Sequence, residues 1–170
     1  MPGQITPVRL VIADTGPINY LILIGHIDLL PRLFDRVALP SAVQSELSKS
    51  RAPLPVKSWI AVPQVWLEIH DTTGLPQVSG LHEGETAAIA LAEFLHADIV
   101  LIDERKGVSV ARSQGFRVTG TLGLPDMAAQ EGLVDFVEAA ERLRNTTFRH
   151  PEHLLTAMLE KHRSKGRRNV

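Results

Sequence analysis

Five carboxylates occupy positions from which a fold could gather them. Asp14 directly follows the apolar run VRLVIA, and Asp103 and Glu104 directly follow DIVLI. Glu46 lies in AVQSEL and Glu85 in HEGETAA. Each acid alone has an ordinary explanation as a turn residue, a solvated helix residue or a carboxylate favoured by a helix N-terminus. Three or four of them in one place are different. They repel, and each raises its neighbours' pKa unless a cation neutralises the group. An all-oxygen set of this kind suits Mg²⁺ or Mn²⁺ rather than zinc or copper.

Other chemistries are poorly supplied. The chain has no cysteine, so disulfides, thiolate metal sites and cysteine nucleophiles are excluded. None of its histidines forms HExxH, and His150 and His153, three apart, read as a polar helix start. GxSxG, GxGxxG and GxxxxGK[ST] are all absent. Gly120-Thr121-Leu122-Gly123 reads as a short turn into a helix rather than a phosphate loop.

The elements that must position the acids alternate. Val8–Ala13, Arg36–Leu39, Val65–His70, Asp98–Ile102 and Phe116–Thr119 read as strands, the first and fourth as buried parallel ones. After Asp14, Thr15 is the expected cap of a helix whose first turn holds Pro17, with Gly25 as a break further on. Further helices are expected from Pro40-Ser41 to about Ser50, over Glu83–His96, from Asp103-Glu104 to about Gln114, and over Leu122–Gln130, Asp135–Arg144 and Pro151–His162. The proline-rich stretch from Arg51 to Pro63 reads as loop, with Trp59-Ile60 touching the core. Strands alternating with helices imply a parallel α/β sheet covered on both faces. In such sheets ligands bind beyond the carboxyl ends of the strands, where strand order reverses. If the first and fourth strands are neighbours there, Asp14 and Asp103-Glu104 converge on one rim.

At 170 residues, with 44% apolar and 22% charged side chains, the chain has ordinary globular composition and the length of one domain. No apolar run approaches the roughly 18–20 residues of a membrane span, and MPGQITPVRL lacks the build of a secretion signal. A cytoplasmic protein is the expectation. Eighteen Lys plus Arg stand against 19 Asp plus Glu, for a net charge of −1. Five of the basic residues cluster between Lys161 and Arg168, so an acidic body carries a cationic tail. The tail is either a solvated terminus or an arm that contacts phosphates.

VIADTGPINYLILIGHIDLL, RVALPSAVQSEL and LHEGETAAIALAEFLHADIVLIDERKGVSVARSQGFRVTGTLGLPDMAAQEGLV, in this order, resemble the PIN-domain family. Within it they resemble the VapC-like toxin branch, in which a GE-headed helix precedes an L-[IL]-D-[DE]-R strand end. The resemblance runs from about Leu10 to Val134. It implies a three-layer α/β fold with sheet order 3-2-1-4-5, a PIN-like nuclease domain over residues 1–150, and a C-terminal helix and basic tail over 151–170. It also implies an Mg²⁺- or Mn²⁺-dependent endoribonuclease that leaves 5′-phosphate and 3′-hydroxyl ends, a homodimer, and a small cognate antitoxin. Carried over by position, Asp14, Glu46 and Glu85 are the first three acids, and either Asp103 or Glu104 is the fourth. All five are candidate metal ligands, with Thr15 and Thr121 as helpers at the rim. Gly16 departs from the family's usual small hydroxyl residue, and Ile102 from its usual Thr or Ser. The alternative is a PIN-like fold kept as a catalytically silent binding or assembly module.

Overall fold

The computed structural model describes residues 9–168; Val8, expected to open the first strand, lies outside them. Five strands form one parallel sheet: β1 (Leu10–Ala13), β2 (Arg36–Pro40), β3 (Leu67–His70), β4 (Ile99–Leu101) and β5 (Arg117–Thr119). Their order is β3-β2-β1-β4-β5, the one that the family resemblance implies. β1 is thus central, between β2 and β4, and all four of its residues are buried. Alternation along it separates two cores. Val11 and Ala13 face the larger one, and Leu10 and Ile12 the smaller. Truncating the fully buried Ile12 to alanine would cost about 2–5 kcal/mol.

The helices divide between the two faces. α5 (Glu83–Leu95) lies on the smaller core, where Ala88 and Ala92 let its backbone approach the sheet and Leu91 packs beside Val100 and Ile102. α6 (Arg105–Ser113) contributes Val108 next to it. The other face carries α1 (Thr15–Leu23), α2 (Leu29–Leu33), α3 (Ser41–Leu47), α7 (Gly123–Gln130) and α8 (Phe136–Arg144), with Leu21, Leu30, Val43, Leu124 and Phe136 at its centre. Gly25, with φ of +77°, makes the expected break between α1 and α2.

Two segments depart from the sequence reading. Residues expected as loop contain α4 (Leu54–Ile60), whose Val56 and Ile60 reach the larger core. Pro53 is its N-cap and Pro55 lies in its first turn, where a missing N–H leaves no helical bond unmade. Trp59 packs against the same core, 5.9 Å from the ring of Trp66. The last helix, α9 (Glu152–Arg168), continues past His162 to include the basic cluster. Leu155 and Leu159 bury it against the main core, and His162 fixes it further along. The His162 ring stacks on Phe136 at 4.3 Å, and its Nε2 is 2.6 Å from Asp126 Oδ1 of α7. Arg163, Lys165 and Arg167 project beyond that anchor, exposed.

Candidate active site

The switch between β2-ward and β4-ward connections opens above the carboxyl end of β1, and the backbone fixes what stands there. The Asp14 N–H donates to Leu101 O at 2.9 Å, extending the β1–β4 ladder by one residue. The Ile102 N–H likewise donates to Thr119 O at 3.0 Å and extends the β4–β5 ladder. Asp14 takes the N-cap position of α1 in extended conformation, and its side chain caps nothing. Thr15, the cap expected from sequence, is instead the first helical residue, and its hydroxyl donates to Glu46 Oε2 across from α3. Glu85 enters from the first turn of α5, buried, between Gly84 and Thr86.

Beyond β4 the two adjacent acids part. Asp103 turns toward the loop after β5, where the Thr121 N–H donates to Oδ1 at 2.7 Å and the Thr121 hydroxyl to Oδ2 at 2.5 Å. Glu104 is the N-cap of α6, and its Oε2 accepts from the Lys106 and Gly107 N–H groups at 2.7 and 3.1 Å. A carboxylate so placed satisfies orphan helix donors and complements the dipole.

All five acids line one cleft of about 680 Å³. Asp14 is only 7% exposed, and burial pushes its carboxyl up from the ordinary 3.8 to about 7. The Thr15 N–H opposes this shift, and the charges of Glu85, Glu46 and Asp103 add to it. Glu85 is raised by burial and then by the charge of Glu104. Asp103 stays open to the cleft but is crowded by protein, which raises it against the pull of the two Thr121 bonds. Among the described residues none of the five forms an ion pair. Lys49 and Arg149 line the same cleft and are also unpaired among the described residues.

Glycines keep room between the acids. A Cβ on Gly84 would sit 2.9 and 3.0 Å from the two Glu46 carboxylate oxygens and 3.1 Å from Asp14 Oδ1. One small volume therefore faces three hard oxygens, a cradle suited in size and donor type to a small divalent cation. The acids converge without closing: no three Asp, Glu or His side chains among the described residues form a ready ligand set. Gly120 is equally tight, since a Cβ there would lie 2.6 Å from Asp103 Oδ1. Gly16 is not: a Cβ would meet only Asp103 Oδ2, at 3.6 Å, so the hydroxyl residue usual in the family would fit.

A sheet ordered 3-2-1-4-5 with acids gathered over the end of its central strand is the arrangement that the sequence resemblance implies. A profile of the PIN domain matches residues 10–164. The chain belongs to the PIN-domain family. Among solved structures it is similar to a PilT N-terminus domain protein of the hyperthermophilic archaeon Sulfolobus solfataricus P2. The two share 14% identity over 83% of this chain and 99% of that one, with a TM-score of 0.51, a likeness of fold. No curated protein matches the chain as a relative. PIN domains are typically nucleases that use divalent metal ions. No helix among the described residues is long and apolar enough to cross a membrane.

The structure adds residues to the cleft that the sequence reading does not name. Lys49 follows α3, and Tyr20, Phe148 and Arg149 come from α1 and the α8–α9 loop. Only distance along the chain hides them. Thr121, expected from sequence as a helper at the rim, does hold Asp103 there, and the Gly between the acids of HEGE is the further signal in the sequence.

Proposed function

We propose that this PIN domain is a divalent-metal-dependent endoribonuclease and the toxin of a toxin–antitoxin pair. The observation that carries the reading is the convergence of Asp14, Glu46, Glu85 and Asp103 on one cleft, none of them in an ion pair among the described residues. These four would hold Mg²⁺ or Mn²⁺, while Glu104 serves as the cap of α6 and adds negative charge beside Glu85. A bound cation supplies an activated water and neutralises charge developing on the phosphate oxygens.

The chain's own residues do the rest. Thr15 orients Glu46, and Thr121 orients Asp103 through both of its oxygens. Asp14, titrating near pH 7, holds a proton on its carboxyl in part of the population until a cation displaces it. Lys49 and Arg149 face the phosphates of the strand from the cleft walls. No protein nucleophile takes part; the family resemblance implies that water attack expels the 3′-oxygen, leaving a 5′-phosphate and a 3′-hydroxyl. The acid cluster also suits an antitoxin that inserts a cationic side chain among the carboxylates, and the active form is a homodimer.

The test is RNA cleavage with Mg²⁺ or Mn²⁺ against EDTA, with Asp14→Asn and Glu46→Gln as controls and light scattering for the dimer. Metal-dependent cleavage lost in both variants is expected. A folded protein that binds Mn²⁺ weakly and cuts no RNA would instead make the chain a silent binding module.

A further inference from the structure

A second cavity, of about 290 Å³, adjoins the acid cleft. Its walls are mostly apolar: Leu122 from the β5–α7 turn, Phe148 and Pro151 from the α8–α9 loop, and Leu154 and Met158 from α9, with His150 beside them. Asp103, Phe148 and Arg149 line both spaces, so the two communicate around one acid and one short segment. Phe148 is held in place from two sides. Tyr20 meets it edge-on at 5.1 Å, and the His150 ring stacks along it at 5.8 Å and 22°. Leu154 remains 46% exposed although it lines the cavity, so the fold itself does not cover it.

A ligand that fills both spaces must have a flat or apolar body within a bond or two of an anionic group. A nucleotide meets that description. We propose that this cavity receives one unpaired nucleobase of an RNA strand whose adjacent phosphate lies in the acid cleft. Arg149, at the junction and without an ion pair among the described residues, contacts that phosphate. The base lies against Phe148 and under Leu154. The volume is at the low end for ligand sites and ample for one base, and a base that enters it has left its stack and its partner, so the strand is unpaired there. The proposal rests on reading the acids as the site of phosphodiester cleavage, and it adds a contact that discriminates bases from bare backbone.

The experiment measures binding, not turnover. The full chain carrying Asp14→Asn is titrated in EDTA at low salt with a fluorescent octamer of uridylate and with an octamer of abasic ribose phosphate. Leu154→Asn is added in the same background; it changes no charge and alters a half-exposed side chain. Phe94→Asn, at an exposed site on α5, is the control. Loss of one base contact weakens binding roughly tenfold. The expected result is that Leu154→Asn weakens the uridylate octamer by that factor and leaves the abasic octamer and the Phe94→Asn control unchanged. Equal weakening of both octamers, or of neither, overturns the proposal and leaves the cavity to a side chain of a protein partner. Absent binding of both octamers overturns it as well. If base-dependent binding stands but the wild-type chain cuts no RNA with Mg²⁺ or Mn²⁺, the cavity assignment holds and the nuclease reading alone falls.

Discussion

Removing the charge of Asp14 should make the metal-free protein more stable, by an amount set by pH. The carboxyl titrates near 7 in the folded chain against 3.8 ordinarily. A gap of about three units corresponds to about 4 kcal/mol. The sign follows from proton counts. Between pH 4 and 7 the unfolded chain has released this proton while the folded chain keeps it, so stability falls as pH rises. The contribution is fully present below pH 4, declines by about 1.4 kcal/mol per unit, and is gone above 7. The amide introduced by Asp14→Asn has no proton to lose. Urea unfolding in EDTA should therefore show little difference between wild type and Asp14→Asn near pH 4. The variant should be the more stable by up to about 4 kcal/mol at pH 8, less whatever water entering the cleft recovers. Millimolar Mn²⁺ should narrow the difference, because a cation stabilises the ionised form. A difference that stays flat from pH 5 to 8, or a variant less stable than wild type at pH 8, would refute the electrostatic account.

Thr121→Val, nearly isosteric at a fully buried position, should lower cleavage about 10- to 100-fold with little change in circular dichroism, since it frees Asp103 to turn. Asp103→Asn should abolish cleavage, whereas Glu104→Ala should retain it and cost about 1 kcal/mol in urea unfolding through the lost cap. Gly84→Ala should fold yet bind Mn²⁺ more weakly by calorimetry, because its methyl would fill the space between Glu46 and Asp14. Replacing Arg163, Lys165 and Arg167 by Gln should leave the fold intact. It should flatten the salt dependence of RNA affinity by up to about 0.7 per phosphate contact if the tail reaches the strand. An unchanged slope would make the tail merely solvated.

Strand ends are the most legible part of this sequence. VRLVIA and DIVLI combine β-branched residues with an abrupt acid, and the helices that follow start within a residue of where Thr, Pro and Glu predict. The prolines of α4 conceal it because a breaker inside a helix and a starter at its first turn look alike until the register is known. α9 runs longer than its apolar stripe because exposed Lys and Arg favour a helix C-terminus without packing. For the site, residue types and order identify which acids stand at the rim. They do not separate Asp103 from Glu104: that depends on which carboxylate meets Thr121 and which meets the first N–H groups of α6. The walls of the cleft come from α1, the end of α3 and the loop before α9, and no local pattern marks Lys49 or Arg149.

The strand order also governs timing during synthesis. β1 gains its second neighbour only after a long intervening stretch, as the bond from Leu10 N–H to Asp98, 88 residues away, illustrates. At ribosomal speed that separation is on the order of ten seconds. By the end of that interval Asp14, Glu46 and Glu85 have been made, but Asp103 has not. One flank of β1 is an open edge that can pair wrongly, which is where a chaperone would be needed. The clamp that holds Asp103 arrives later still, with Thr121. A ribosome-bound chain therefore carries no complete acid cluster until Asp103 has been made, and the cluster lacks its clamp until Thr121 follows.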